Sequence, residues 1–178
     1  MSKFFKRIYK VIKIKMLKTP KKRKKEKKTS YKKRLGFLKS GLSRIVVRRT
    51  NLYINAQLVS SHEAQDKVIV SVSSRDLLKL GWTKEKEGTL KSIPASYLTG
   101  YLMGKKILEK EKGKVILDIG LQRNISKGRI YAVLNGIVDA GVDISHNKKV
   151  FPSEERIQGK HLKTNMQKEI IEIKKKLK

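Results

Sequence analysis

Cysteine is absent from the 178 residues, which excludes disulfide frameworks, zinc sites and thiol catalysis. Acidic residues are scarce: 15 stand against 45 Lys and Arg, leaving a net charge of +30. A compact body so charged repels itself, so a polyanion is expected to offset it, nucleic acid first and anionic membrane second. No apolar run approaches the roughly 20 residues that a membrane-spanning helix needs. Lysines at 6, 10, 13, 15 and 18 break every apolar run of the first twenty residues, which argues against a secretory signal. The same segment is Lys-rich with one early serine, unlike a mitochondrial transit peptide, so the cytoplasm is the expected compartment.

Signs of catalysis are also missing. His62, His146 and His161 lie far apart in the chain, and no nucleophile-elbow motif accompanies them. The glycines form no phosphate loop; Gly100 and Gly104 stand one helical turn apart, as close helix-on-sheet packing would require. Asp118 and Asp139 could be read as metal-binding carboxylates of a ribonuclease-H-like nuclease. The first strand, however, carries arginines where such an enzyme needs an acid, so both read as structural or salt-bridging acids. No catalytic residue, metal or cofactor is expected.

What is present is basic charge, unevenly spread. Residues 1–34 hold 17 basic residues and the single acid Glu26, a net of +16, whereas the stretch from Ile45 to Leu162 nets only +8. A near-ordinary globular middle thus carries a basic arm and, from Lys163, a smaller basic tail. Residues 3–17 mix lysine with bulky apolar side chains in no clean period, and Met16 could be an alternative start. The Lys/Arg run from Lys18 to Lys28, which includes Arg23, should stay disordered until a partner neutralises it. A membrane-surface role for Phe4, Phe5 and Ile8 with these lysines is a third reading, beside RNA binding and the nuclease.

The middle has clear periodicities. Tyr31–Lys39 predicts a short helix or turn ended by Gly41. Arg44–Thr50 and Leu52–Val59 read as strands, with a hairpin turn at Thr50-Asn51. In Lys67–Ser73, Val68, Val70 and Val72 alternate with Ile69, Ser71 and Ser73, a third strand; Ser74 then caps a short helical piece stopped by Gly81. Pro94 suits the start of a helix running to about Lys112. Val115–Ile119 reads as a buried strand. Ile130, Val133, Leu134, Ile137 and Val138 follow a helical period that Gly141 ends. Leu162, Met166, Ile170, Ile173 and Leu177 form the apolar stripe of a C-terminal helix. The order strand, strand, strand, helix, strand, helix predicts an α/β fold: a mixed β-sheet packed with helices.

Basic residues interleaved with aromatics and polar donors gather early in the chain: Tyr31, Lys32, Lys33 and Arg34, then Lys39 and Ser40, then Arg44, Arg48 and Arg49, then Asn51, Tyr53 and Gln57. Lys and Arg neutralise phosphates and release counterions. Arg and Tyr stack on unpaired bases, and Asn and Gln bond base edges or 2′-hydroxyls. Alternation along RIVVRRT puts Val46 and Arg48 on one face and Ile45, Val47 and Arg49 on the other, so one arginine must lie near each face or at the strand end.

At these residues the chain resembles the archaeal and eukaryotic branch of the large-subunit ribosomal protein eighteen family. The matching runs are TSYKKRLGFLKS, RIVVRRTNLYINAQLV, PASYLTGYLMGKK, ILDIGL, VLNGIVDAGVDISH and PSEERIQGKHL, in family order over residues 29–162. Local departures are Ser43 and Ser145, where prolines are usual, and Ser92-Ile93 before Pro94. The resemblance implies a non-enzymatic constituent of the large subunit that binds 5S rRNA and anchors it to the large-subunit rRNA, beside ribosomal protein five of that subunit and with no membrane. By match it implies RNA-facing roles for Tyr31, Arg34, Arg44, Arg48, Asn51, Tyr53 and Gln57, and weaker ones for Lys105, Lys106, Gly128 and Arg129. Three parts are expected: a basic extension over 1–28, an α/β RNA-binding domain over 29–162 and a basic amphipathic helix over 163–178.

Overall fold

The computed structural model describes residues 19–63, 65–110, 113–160, 162 and 167–177; the readings made on residues 3–17, His161 and Met166 fall outside these. In chain order come α1 (Lys22–Lys25), α2 (Tyr31–Ser40), β1 (Ser43–Arg49), β2 (Ile54–His62), β3 (Gln65–Ser73) and α3 (Asp76–Lys79). There follow α4 (Ile93–Lys110), β4 (Val115–Asp118), α5 (Arg129–Asp139), α6 (Glu154–Ile157) and α7 (Gln167–Lys176). The strands make one sheet in the order β3-β2-β1-β4, antiparallel except for the β1–β4 pair. A meander followed by a helical crossover is therefore present as the periodicities predicted, and parallel pairing of β1 with β4 is what such a crossover permits.

Local chemistry explains the boundaries. Ser30 caps α2 by accepting the Lys33 N–H at 3.5 Å, and Gly41 ends it in the left-handed conformation at φ 64°. The hairpin turn between β1 and β2 is closed by Thr50, whose hydroxyl accepts the Tyr53 N–H at 2.9 Å. Ser92 opens α4, its carbonyl accepting the Ser96 N–H at 3.0 Å; Ile93 is the first helical residue and Pro94 the second. Ser74 does not cap α3. Its hydroxyl accepts the Ile54 N–H at 3.1 Å, and Asp76 turns back to accept the Ser73 N–H at the end of β3 at 2.9 Å, so no side chain caps α3 at its N-cap Arg75.

One sheet face is apolar and the other is charged. Ile45, Val47, Ala56, Leu58 and Val72 are fully or almost fully buried against α4 and α5. A β-bulge at Leu58/Val59 breaks the expected alternation in β3. Val70 and Val72 stay in the core, but Val68 pairs with Val59 on the opposite face and is half exposed.

Gly100 and Gly104 admit a helix, not the sheet. A Cβ on Gly100 would overlap the Val133 carbonyl of α5, one on Gly136 would overlap the Tyr97 carbonyl of α4, and one on Gly104 would reach 3.2 Å from the Ile137 carbonyl. The two helices touch backbone to backbone there. A second cluster joins Leu77, Trp82, Leu90 and Leu98 to Ile170 and Ile173 of α7. Lys174 secures α7 further: its ammonium donates to the Tyr97 hydroxyl at 2.7 Å and lies over the Tyr97 and Tyr101 rings at 5.1 and 5.7 Å. The Tyr97 hydroxyl donates in turn to Asp139 at 2.7 Å. Burial, and then the bond to that carboxylate, push the Tyr97 phenol far above its ordinary range.

Candidate nucleic-acid interface

The charged face of the sheet lies under the arm helix. Between them runs a cleft of about 350 Å³ whose lining includes Arg23, Lys33, Arg34, Arg44, Arg48 and Gln57. β1 supplies Arg44 and Arg48 because both sit in phase with Val46, on the side away from the buried Ile45 and Val47.

Two carboxylates organise these cations. Asp66 of β3 accepts Arg34 at 2.8 Å, Arg44 at 2.6 Å and the Ser61 hydroxyl at 2.7 Å. Partial burial opposes ionisation of Asp66, but the hydrogen bonds from Arg34 and Ser61 and the charges of Arg44 and Arg34 outweigh it, holding the carboxyl below its ordinary value. Asp118 lies 3.6 Å from Arg48 and 3.9 Å from Arg44. Arg48 also donates to the Asp118 and Val47 carbonyls, both at 2.9 Å, and its guanidinium fills the space where a Cβ on Gly120 would stand, 2.9 Å away. Arg44 lies deepest, its side chain 7% exposed, whereas that of Arg48 is 41% exposed. Asp118 and Asp139 thus answer basic and phenolic partners, and among the described residues no group of acids and histidines could hold a metal ion.

Around the cleft, Lys32, Lys33 and Lys39 stand exposed on α2, and Lys33 reaches the Gly120 carbonyl at 3.5 Å. Ser40 turns back onto the Phe37 carbonyl. Tyr31 lies under Lys21 at 4.8 Å, and Arg23 donates to Thr29 at 2.9 Å, folding α1 against the start of α2. Gln57 donates to Ser71 at 3.4 Å. Asn51 is exposed in the hairpin turn. Tyr53, at the turn's end, donates to Glu87 at 2.9 Å and carries Arg75 over its ring at 4.8 Å.

The remaining predicted residues fall elsewhere. Lys105 and Lys106 sit half-buried on α4, in the layer across the sheet from the cleft, with Lys105 over the Tyr101 ring at 5.6 Å. Gly128 and Arg129 open α5 and line a second groove of about 520 Å³, into which Arg49 also faces. The β1 alternation has divided Arg48 and Arg49 between two concavities, as RIVVRRT predicted. Arg123, Lys127 and Arg156 line this groove and were not foreseen. The first two could have been read from the density of charge in RNISKGR; Arg156 arrives only through folding.

A family model described as ribosomal large subunit proteins 60S L5 and 50S L18 matches residues 15–114, beginning inside the basic arm, taking in β1 to β3 and ending just before β4. The chain belongs to that family. It is 41% identical to the large ribosomal subunit protein uL18 of Methanococcus maripaludis over 144 residues, 81% of this chain and 72% of that protein. The uL18 proteins of Korarchaeum cryptofilum and Methanosphaera stadtmanae are 42% and 43% identical, each over 79% of this chain and 70% and 71% of their own lengths. As a uL18 family member the chain is a structural constituent of the large ribosomal subunit, associated with ribosomal RNA and neighbouring proteins, and not an enzyme. No described helix is long and apolar enough to cross a membrane.

Proposed function

We propose that this uL18 family member binds 5S rRNA through its basic arm, α2 and the charged face of the sheet, and anchors it to the large-subunit rRNA in the central protuberance, beside ribosomal protein five. The observation that carries this reading is the cleft beneath α2, where Arg23, Lys33, Arg34 and Arg48 converge on one concave face. Exposed lysines of α2 and the net positive charge of the arm extend that field outward, which suits electrostatic capture of a folded polyanion. In the proposed mechanism Arg44 holds Asp66 beneath the surface, while the outer cations meet phosphates. The extension over 1–28, expected from sequence to stay disordered until RNA binds, already holds α1 against α2 through Lys21 and Arg23. Ordering on RNA is therefore proposed for the part ahead of α1, with phosphate contacts offsetting the entropy of a self-repelling segment.

Filter binding to 5S rRNA, with transfer RNA as competitor, tests this at two salt concentrations. With about eight phosphates contacted, log K is expected to fall against log salt with a slope of about −6 to −7. Equal affinity for both RNAs would reduce the protein to a generic polycation, and a nearly flat salt response would remove the electrostatic mechanism.

A further inference from the structure

The two edges of the sheet are finished differently. β4 is covered at its start, where Val115 bridges Ile144 in parallel and its N–H donates to the Asp143 carbonyl at 3.1 Å. β3 forms the other edge, and no described strand pairs with its outer side. Asp76 takes the Ser73 N–H, so the open backbone runs from Gln65 to Ser71. The bulge leaves Ile69 without a partner on β2 and turns Val68 to the charged face. These two side chains are 38% and 50% exposed. A long open edge with adjacent exposed apolar side chains invites a further strand.

The chemistry of the edge narrows what that strand can be. A concavity of about 570 Å³ beside it is lined in part by Glu63, Asp66, Lys67, Val68 and Ile69. Asp66 is engaged by Arg34 and Arg44, which leaves Glu63 against Lys67. The cleft and the groove, by contrast, both carry an excess of cations in their linings. The edge thus has little to draw a polyanion and accepts a strand that is itself apolar and basic. RNA has no amide ladder to offer it. A second copy would bring up another body of net charge +30, which repels the first.

The chain itself carries a segment that fits. Residues 3–17 follow no single period as a whole, but within 11–17 Ile12, Ile14 and Met16 alternate with Lys13 and Lys15. That is the pattern of a strand with one apolar and one basic face. Pro20, which has no N–H for a ladder, follows and ends it. The segment also reaches. Arg23 lines the cleft together with Asp66 and Val68 of β3. From Lys21, just before α1, the four residue steps back to Leu17 span up to about 14 Å, well beyond the roughly 4.8 Å between paired strands.

We infer that residues 11–17 add to β3 as a fifth strand, with Ile12, Ile14 and Met16 continuing the apolar face of the sheet and Lys13 and Lys15 its charged face. The net charge of +16 over residues 1–34 holds this segment off a body of like charge. Neutralisation of the Lys/Arg run by RNA lets it settle. The inference rests on the function proposed above and states where part of the arm goes when it orders.

The test is amide exchange of the full chain, read by mass spectrometry. With 5S transcript bound, residues 11–17 and Gln65–Ser71 are expected to slow together by at least about tenfold relative to the free chain at low salt. Salt near 1 M shortens the Debye length to about 3 Å, so the same paired protection is expected there without RNA. The variant I12Q/I14Q/M16Q keeps every charge and lies ahead of the folded body. It should bind 5S transcript within about threefold of wild type and leave Gln65–Ser71 exchanging as in the free chain. Protection of the β3 edge that survives in this variant overturns the inference, whether RNA or a second copy supplies it. So does protection of residues 11–17 with β3 unchanged, or the absence of paired protection in both conditions. If the wild-type chain ignores 5S rRNA, the function proposed above fails, while the high-salt measurement still reads the strand.

Discussion

Arg34 of the arm helix and Asp66 of the β3 strand meet at 2.8 Å across the charged face of the sheet. The contact matters because α2 has no buried residue of its own. Apolar packing is therefore a minor part of what keeps this helix on the sheet, and ionic contacts to Asp66 and the Lys33 bond to Gly120 take its place. Both members of the pair are about a third exposed, so the contact is open to screening by salt and to competition from phosphate.

Asp66→Asn should loosen the arm and weaken the fold together. Among the described residues it leaves the nearly buried Arg44 with Asp118 as its one acidic partner, at 3.9 Å, and the expected loss is about 1–3 kcal/mol after discounting for the exposure of Asp66. The folded carboxyl titrates below its ordinary value, so its contribution is present above that ordinary value and is lost as pH falls through the folded one. Urea unfolding of wild type and variant should differ at pH 7 and converge in acid, once the pH falls below the lowered range in which the folded carboxyl titrates. A gap that persists undiminished in acid would refute the ion-pair account.

Gly100→Ala and Gly36→Ala should act in opposite directions. At Gly100 the new methyl meets the Val133 backbone, which cannot yield as a side chain could. The cost is expected at the upper end of the about 1–3 kcal/mol typical of overpacking, a fall in Tm of roughly 6–12 °C. At Gly36, within α2, a Cβ meets nothing within 4 Å, and alanine should favour the helix by about 0.5–1 kcal/mol. Thermal melts decide both, and a tolerated Gly100→Ala would mean that α4 and α5 can separate.

Lys174→Met should release the end of α7. It removes the bond to the Tyr97 hydroxyl and the cation over two rings, together worth about 1–2 kcal/mol. Amide exchange should speed up in Gln167–Lys176 and stay unchanged in β1 and β2. Lys174→Arg should restore part of the protection; equal exchange in all three proteins would leave the apolar contacts of Ile170 and Ile173 as the whole attachment.

Helix and strand order, the buried face of β1 and the buried Ile170 and Ile173 of α7 were legible because each is a local periodicity imposed by burial. Leu162, expected on the same helical stripe, lies ahead of α7. The division of Arg48 from Arg49 was legible for the same reason: a strand sends neighbours to opposite faces. Val68 was misplaced because a bulge belongs to a pair of strands and leaves no trace in one of them. The partner of Gly100 was misassigned because a missing side chain signals close approach without saying to what.

The amino-acid order by itself determined that this chain needs a polyanion, since an excess of thirty positive charges is a property of composition that no folding can remove. Only the tertiary structure decided which of those charges face outward. It neutralises Arg34, Arg44 and Arg48 against Asp66 and Asp118, residues drawn from strands remote in the chain, and leaves Arg49, Arg123, Lys127, Arg129 and Arg156 together without an acid. Pairing of charges depends on distances of a few ångströms, and those distances exist only once the strands and loops have come together.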